Sequence, residues 1–175
     1  MVCRDEHPDC GRAPQYSYTP DGYRTQEISD GTTTTYVYAD GKMLYMDKGG
    51  EIENYIYANS KKIAMIQGAI SDAAASSEDD TITSFTNEAV VYTFNDILGS
   101  ERALINGEGE LLWWTNYAPF GITLDEQSEG YTNDNTFTGH RRDNTGLIYM
   151  GMRYYLPSAG RFISSDPAQQ GTNYY

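Results

Sequence analysis

Tyr36-Val37-Tyr38-Ala39-Asp40-Gly41-Lys42 places two tyrosines at alternate positions before an Asp-Gly pair and a lysine. The same pattern occurs 20 residues earlier, within residues 16–24, and 19 residues later, within residues 55–61. A fourth copy is Tyr92-Thr93-Phe94, whose phenylalanine lies 37 residues beyond Tyr57, close to two periods. Recurrence at a short fixed period indicates a repeat architecture.

Each repeat has the features of a β-hairpin. Alternate residues of a strand share one face, so the paired aromatic rings point to the same side of a sheet. Asp-Gly and Asn-Gly pairs tolerate the positive φ angles that tight turns demand. Such pairs occur at Asp21-Gly22, Asp30-Gly31, Asp40-Gly41 and Asn106-Gly107. The sequence therefore predicts an all-β protein of successive hairpins with no substantial helix.

Composition supports this fold class and excludes several functions. The 175 residues include 16 Tyr and 17 Gly, which suits short strands joined by turns. With 12 basic against 25 acidic residues and a net charge of -13, a nucleic-acid-binding face is disfavoured. No apolar run approaches the roughly 20 residues of a bilayer span, and the first residues lack the apolar core of a signal peptide.

The expected organisation has four parts. Between the hairpins and the C-terminal part lies a small, polar, acidic stretch with no EF-hand spacing, which reads as a solvated loop. The parts are an N-terminal tail (1–14), β-hairpin repeats (15–68), the acidic loop insertion (69–88) and a C-terminal region (89–175).

The first ten residues contain Cys3, His7 and Cys10. Three ligands do not complete a structural zinc site, which needs four, and His140 is the only other histidine. A small Cys3–Cys10 disulfide is the alternative in an exported protein. An incidental feature of the terminus is favoured over both, and no metal or cofactor is predicted.

The C-terminal region carries a specific series of motifs from Tyr92 to Asp166-Pro167, including Phe137-Thr138-Gly139-His140 and Gly160-Arg161-Phe162. In this order and spacing they resemble the RHS repeat-associated core domain of bacterial Rhs and YD-repeat proteins. The earlier Tyr-x-Tyr units resemble the YD repeats that precede that core. The matching motif residues are Gly99, Arg102, Pro119, Phe120, Gly121, Gly139, His140, Asp143, Gly146, Leu147, Tyr149, Arg153, Tyr154, Tyr155, Pro157, Gly160, Arg161, Phe162 and Pro167.

The resemblance implies that the hairpins form part of a β-shell enclosing a C-terminal toxin segment. It also implies aspartyl-type self-cleavage in many members, with Asp166 matching the first catalytic acid. The second acid and the scissile bond are expected beyond residue 175, so the core is expected to be incomplete at its C-terminus. Ser165 and Leu156 also depart from the family pattern. We therefore expect Asp166 to close a turn and the chain not to be an enzyme.

Structural roles are expected for the other conspicuous residues. His140 is predicted to be a hydrogen-bonding sheet residue. Arg153, Arg161 and Asp143 are predicted to form ion pairs that hold the end of the shell together. Trp113 and Trp114 are adjacent on a predicted strand and so face opposite sides, one in the core and the other towards a neighbouring repeat or a cavity.

Three functions remain open at this point. The first is a shell module of a polymorphic toxin in bacterial competition, with further YD repeats and a toxin segment as partners. The second is a surface adhesion module that binds carbohydrate through exposed aromatic rings, and the third is a self-cleaving peptidase. Burial of the Tyr-x-Tyr pairs favours enclosure, whereas an exposed stripe favours ligand binding. The family resemblance implies an extracellular or cell-surface location reached through a secretion system, after synthesis in the cytoplasm.

Overall fold

The computed structural model describes residues 13–70, 85–128 and 130–166. The predicted N-terminal cysteine pair, most of the acidic loop and Pro167 lie outside the described residues.

The described residues form two antiparallel sheets and contain no α-helix. In the larger sheet ten strands pair in chain order, so each strand neighbours the one before it. These strands are β1 (Gln15–Tyr18), β2 (Arg24–Ser29), β3 (Thr32–Ala39), β4 (Lys42–Lys48), β5 (Glu51–Ala58), β6 (Lys61–Ile70), β7 (Phe85–Asn95), β8 (Glu101–Ile105), β9 (Leu111–Tyr117) and β10 (Thr123–Ser128). The sheet is continuous across residue 89, and the division of the chain into four parts stays a prediction.

The smaller sheet has four short strands and follows a 3-10 turn at Phe137–Gly139. Its strands are β11 (Arg141–Arg142), β12 (Ile148–Tyr149), β13 (Tyr154–Leu156) and β14 (Arg161–Phe162). The prediction of an all-β chain without substantial helix is confirmed, and no helix in the described part of the chain is long and apolar enough to cross a membrane.

The predicted turn pairs connect the strands. Asp30-Gly31 and Asp40-Gly41 have φ angles of 50° and 79°, and of 50° and 74°. Positive φ at both central residues defines the two-residue turn whose twist matches that of the flanking strands. Asp21-Gly22 and Asn106-Gly107 lie in the longer turns between β1 and β2 and between β8 and β9.

Hairpins that turn at one edge of the large sheet share an irregularity. The register shifts by one residue just after the turn, which leaves Thr25, Leu44, Ile63 and Arg102 as the extra residues on the returning strands. Such β-bulges bend the strand and increase its twist. The turns between β1 and β2, β3 and β4, β5 and β6, β7 and β8, and β9 and β10 therefore define one edge, which we call the bulged edge.

A single row of side chains forms the core of the large sheet, with one residue from each strand from β3 to β9. Direct pairs such as Tyr36 with Met46 and Tyr55 with Met65 connect the row across the strands. We call the face that carries this row the inner face. Its members are Tyr36, Met46, Tyr55, Met65, Val91, Leu104 and Trp113.

The fourth predicted repeat lies in the opposite orientation. Tyr92 and Phe94 point to the outer face, where their side chains are 46% and 53% exposed. The position that corresponds to Tyr57 is Asn95, because Asn95 pairs with Glu101 as Tyr57 pairs with Lys62. A shift of one residue moves a side chain to the other face of a strand. The spacing of 37 residues was therefore one residue short of the structural period.

Trp113 and Trp114 behave as predicted. Trp113 is 1% exposed on the inner face, and its indole nitrogen donates to Glu126 at 2.7 Å. Trp114 lies on the outer face and donates to Gln127 at 2.9 Å. The hydrogen bonds extend both indoles towards β10, the last strand of the large sheet.

Candidate functional site

Residues 130–166 fold back over the inner face and attach to it at β8. Thr136 accepts a hydrogen bond from the Glu101 backbone at 3.1 Å, and the Thr138 backbone donates to the Ser100 hydroxyl at 3.0 Å. The phenol of Tyr131 lies over the core row and donates to the Met65 sulfur at 3.9 Å. We call residues 130–166 the covering segment.

Arg24 makes the strongest polar connection between the first hairpin and the covering segment. Its side chain is 1% exposed and forms two parallel hydrogen bonds with the Asp143 carboxylate, at 2.9 and 2.7 Å. The same guanidinium donates to Glu27 at 3.1 Å and to the Tyr154 phenol at 2.9 Å. Bidentate pairing of this kind adds geometric specificity to the energy of the ion pair.

Aromatic rings enclose this guanidinium. Its central carbon lies 4.1 Å from the ring centroid of Tyr16 and 4.6 Å from that of Tyr149. Burial by itself lowers the pKa of Arg24, but the hydrogen bonds to Asp143 outweigh it and raise the pKa above its ordinary value. Tyr149 also bridges backbone groups of the first hairpin, because its phenol accepts from the Arg24 amide at 2.8 Å and donates to the Gly22 carbonyl.

A second buried ion pair joins β6 to β8. The Lys62 ammonium lies 2.6 Å from a Glu101 carboxylate oxygen, and the two side chains are 7% and 1% exposed. The amide of Asn133 in the covering segment donates to the same carboxylate at 3.1 Å. Burial raises the pKa of Glu101, while Lys62 opposes that rise. This carboxylate therefore connects two strands of the sheet with the covering segment.

The sequence analysis missed Arg24 and Lys62, although a signal for them was present. Arg24, Met43 and Lys62 are 19 residues apart, and each pairs with the second aromatic residue of its hairpin, just before the bulge. This repeat position points inwards. A charged residue at an inward position of a repeat requires a buried partner, which is the signal that would have identified both residues.

The predicted ion pairs of the covering segment are only partly correct. Asp143 does not pair with Arg153 or Arg161 but with Arg24, which lies 119 residues away in the sequence. Arg153 instead lies 3.7 Å from Asp166 and 3.6 Å from the ring centroid of Phe162. The prediction was wrong because it considered only arginines near Asp143 in the sequence.

The residues of the Pro119-Phe120-Gly121 and Tyr154-Tyr155 motifs meet at the turn between β9 and β10. The phenol of Tyr155 donates to the Phe120 carbonyl at 3.0 Å. Gly121 has a φ of 86°, and a Cβ atom there would lie 2.5 Å from the ring of Phe137. Phe137 forms a second core cluster with Ile148 and Tyr155, flanked by Tyr117, Met150 and Phe162. Gly160 contributes a similar close approach, to Phe120.

The remaining motif residues lie at turns or on strands. The φ angles of Gly99, Gly139 and Gly146 are 87°, 71° and 81°. Arg102 donates to the Thr115 carbonyl at 3.0 Å and to Asn116. Leu147 accepts from the Asp143 backbone, Pro157 accepts from Gly160, and Arg161 is exposed on β14. These contacts are structural, and any further role of the predicted motif residues stays a proposal.

A cavity of about 950 Å³ lies between the bulged edge and the covering segment. Tyr38, Tyr57 and Tyr149 form part of its wall, and burial raises the pKa of each to about 12, so all three phenols are neutral at physiological pH. His140 lines the cavity immediately before β11, rather than within a strand as predicted. Burial lowers its pKa, which favours the neutral imidazole.

Asp166 lies at the wall of this cavity beside Arg153. The two carboxylates considered as its catalytic partner, Asp143 and Glu101, are each engaged by a buried cation. Aspartyl-type chemistry requires two carboxyl groups that share a proton. In the described parts of the chain, no group of three or more His, Cys, Asp or Glu residues is arranged to hold a metal ion.

Comparison with known proteins places this fold among bacterial toxins. Toxin subunit YenC1 of Yersinia entomophaga is 37% identical over 90 residues, which are 49% of this chain and 9% of that protein. Double-stranded DNA deaminase toxin A of Burkholderia cenocepacia is 30% identical over 122 residues, 65% of this chain and 8% of that protein. This chain is similar to Rhs- and Tc-type toxin proteins.

The solved structures agree in fold. The crystal structure of TcdB2-TccC3 matches the whole chain with a TM-score of 0.72 at 25% identity, and the chain covers 9% of that structure. The two antiparallel sheets thus match the β-shell of a Tc toxin. The chain spans about a tenth of the length of these relatives, and no protein-family model matches it.

Proposed function

We propose that the chain is a wall section of a toxin β-shell that encloses an effector segment of the same protein. The observation that carries this proposal is the burial of the Tyr-x-Tyr pairs on the inner face. Tyr36 and Tyr55 are 3% and 6% exposed, and the covering segment lies over the same face. Rings buried in this way do not form the exposed stripe that carbohydrate stacking requires.

The two edges of the large sheet support the same function. Among the described strands, β1 and β10 each have a neighbour on one side only. An unpaired edge presents backbone donors and acceptors that another strand can take up. We propose that further YD repeats pair with these edges and that the covering segment holds the inner face of the completed wall.

We further propose that this wall section is not itself an enzyme. Asp143 and Glu101 are held in ion pairs, so neither is free to share a proton with Asp166. The nuclease and deaminase names of some relatives then refer to segments other than the one matched here. On this proposal the complete protein is exported and acts in bacterial competition.

Limited proteolysis of the complete gene product tests the proposal. The protein is treated with thermolysin, and its fragments are identified by mass spectrometry. We expect the enclosed segment to resist cleavage in the native protein and to be cut in Arg24→Met, which releases the covering segment from the first hairpin. Arg161→Met removes an exposed arginine and serves as the control.

Two outcomes would reject enclosure. Equal cleavage of every segment in the native protein would remove its basis. Binding of the native protein to cell-surface polysaccharide, lost in the outer-face variant Tyr92→Ser/Phe94→Ser, would favour the adhesion function instead.

A further inference from the structure

The cavity at the bulged edge concentrates positive charge in an acidic protein. Five of the 12 basic residues line it, although the net charge of the chain is -13. These five are Lys42, Lys61, Lys62, Arg141 and Arg153. Because low-dielectric walls focus such charge, a cavity of this kind attracts anionic groups.

Two of these cations lack a carboxylate partner. Lys62, Arg141 and Arg153 form ion pairs with Glu101, Asp134 and Asp166, respectively. Within the described residues, Lys42 and Lys61 form no ion pair. The Lys61 ammonium donates to the backbone carbonyls of Asp96 and Ile97 at 3.0 and 3.3 Å, and the Lys42 ammonium lies 5.6 Å from the ring centroid of Tyr57.

Lys42 and Lys61 occupy the same repeat position. Each is the first residue of a returning strand, β4 or β6, and they are 19 residues apart. Only β5 lies between these strands, so their backbones are roughly 10 Å apart. A polyproline-II chain advances about 9 Å in three residues and returns to the same side, which matches this separation.

We propose that this cavity binds an acidic, extended stretch of polypeptide whose carboxylates pair with Lys42 and Lys61. The inference rests on the proposed enclosure, since it names where the enclosed polypeptide contacts the wall. Met43, Met150 and Met152 supply adaptable thioether side chains, and the tyrosine rings supply apolar walls with neutral phenols. Asn59 and Asn95 add amide groups that can bond to the backbone of a peptide.

Fluorescence anisotropy with a labelled 12-residue peptide that carries Asp at every third position tests this proposal. The matched probe has Asn in place of every Asp. We expect the 175-residue chain to bind the acidic peptide and the Lys42→Gln/Lys61→Gln variant to bind it about tenfold more weakly, since two partly screened ion pairs are lost. Lys48→Gln is the control, because Lys48 ends β4 at the opposite edge of the sheet. Its affinity should stay within about twofold of the native value.

Several results would overturn the proposal. These are equal binding of the acidic and Asn peptides, an equal loss of affinity in Lys48→Gln, or tighter binding of oligogalacturonate than of the acidic peptide. A rise in affinity above tenfold on removal of residues 167–175 would assign the cavity to the end of this chain. If the peptide fails to bind while the effector segment stays protected from thermolysin, the enclosure stands and the cavity proposal is wrong.

Discussion

The large sheet and the covering segment are held together in different ways. In the sheet each strand pairs with its neighbour in the sequence, so its hydrogen bonds and core row depend on local repeats. The covering segment has short strands and is fixed by contacts between distant residues, such as Arg24 with Asp143. The comparison teaches that one architecture can combine a repetitive scaffold with a covering layer whose position depends on a few buried polar groups.

Arg24→Met should have the largest effect, because it removes the connection between the two regions. The substitution leaves the Asp143 carboxylate buried without its cation, which costs about 3–5 kcal/mol of unfolding free energy. Urea unfolding measures the loss, and hydrogen exchange locates it. Amides of β12 and β13 should exchange faster, while those of β4 and β5 should change little.

The double variant Arg24→Met/Asp143→Leu serves as the control for that experiment. It removes both charges, so most of the stability should return. If the single variant destabilised β4 and β5 as much as β12 and β13, the two regions would be one cooperative unit and the comparison would fail.

Glu101→Gln should cost less, about 2–3 kcal/mol, because the amide keeps a hydrogen bond from Asn133 but leaves Lys62 buried without a countercharge. Lys62→Met/Glu101→Leu should recover much of this loss in the same urea measurement. A single variant as stable as the native chain would mean that the pair contributes nothing to the attachment at β8.

Gly121→Ala and Gly31→Ala compare a close approach with a simple turn. Both residues have positive φ, but a Cβ at position 121 would meet the Phe137 ring, whereas one at position 31 meets nothing within 4 Å. We expect about 1 kcal/mol for Gly31→Ala and about 2–4 kcal/mol for Gly121→Ala in thermal or urea unfolding. Equal losses would show that the contact between Phe137 and the turn carries no extra energy.

His140 should give the smallest effect, visible only as a dependence on pH. Burial lowers its pKa in the folded chain below the ordinary value of 6.5. The unfolded state therefore takes up the proton first, and its stability advantage grows as the pH falls below about 6.5. The native chain should lose stability with acidification more steeply than His140→Gln. Identical slopes between pH 7 and pH 5 would contradict this prediction.

The sequence predicted the repetitive scaffold because that scaffold depends on local patterns. Asp30-Gly31 and Asp40-Gly41 specify their turns, and alternating tyrosines specify the inner face of β3 and β5. The orientation of Tyr92 and Phe94 was not predictable from an approximate period, because one residue decides the face. Asp143 was assigned to the wrong arginines because no local pattern records a contact across 119 residues.

The repeated bulge has a consequence for how such a chain can change its length. Since the register shift recurs just after each turn at the bulged edge, each hairpin is a self-contained module of about 19 residues with a defined inside and outside. Duplication or loss of a whole module leaves every other side chain on its original face. Insertion of a single residue within a strand inverts all that follows it up to the next turn. Whole-hairpin recombination is thus the neutral route by which this wall grows or shrinks.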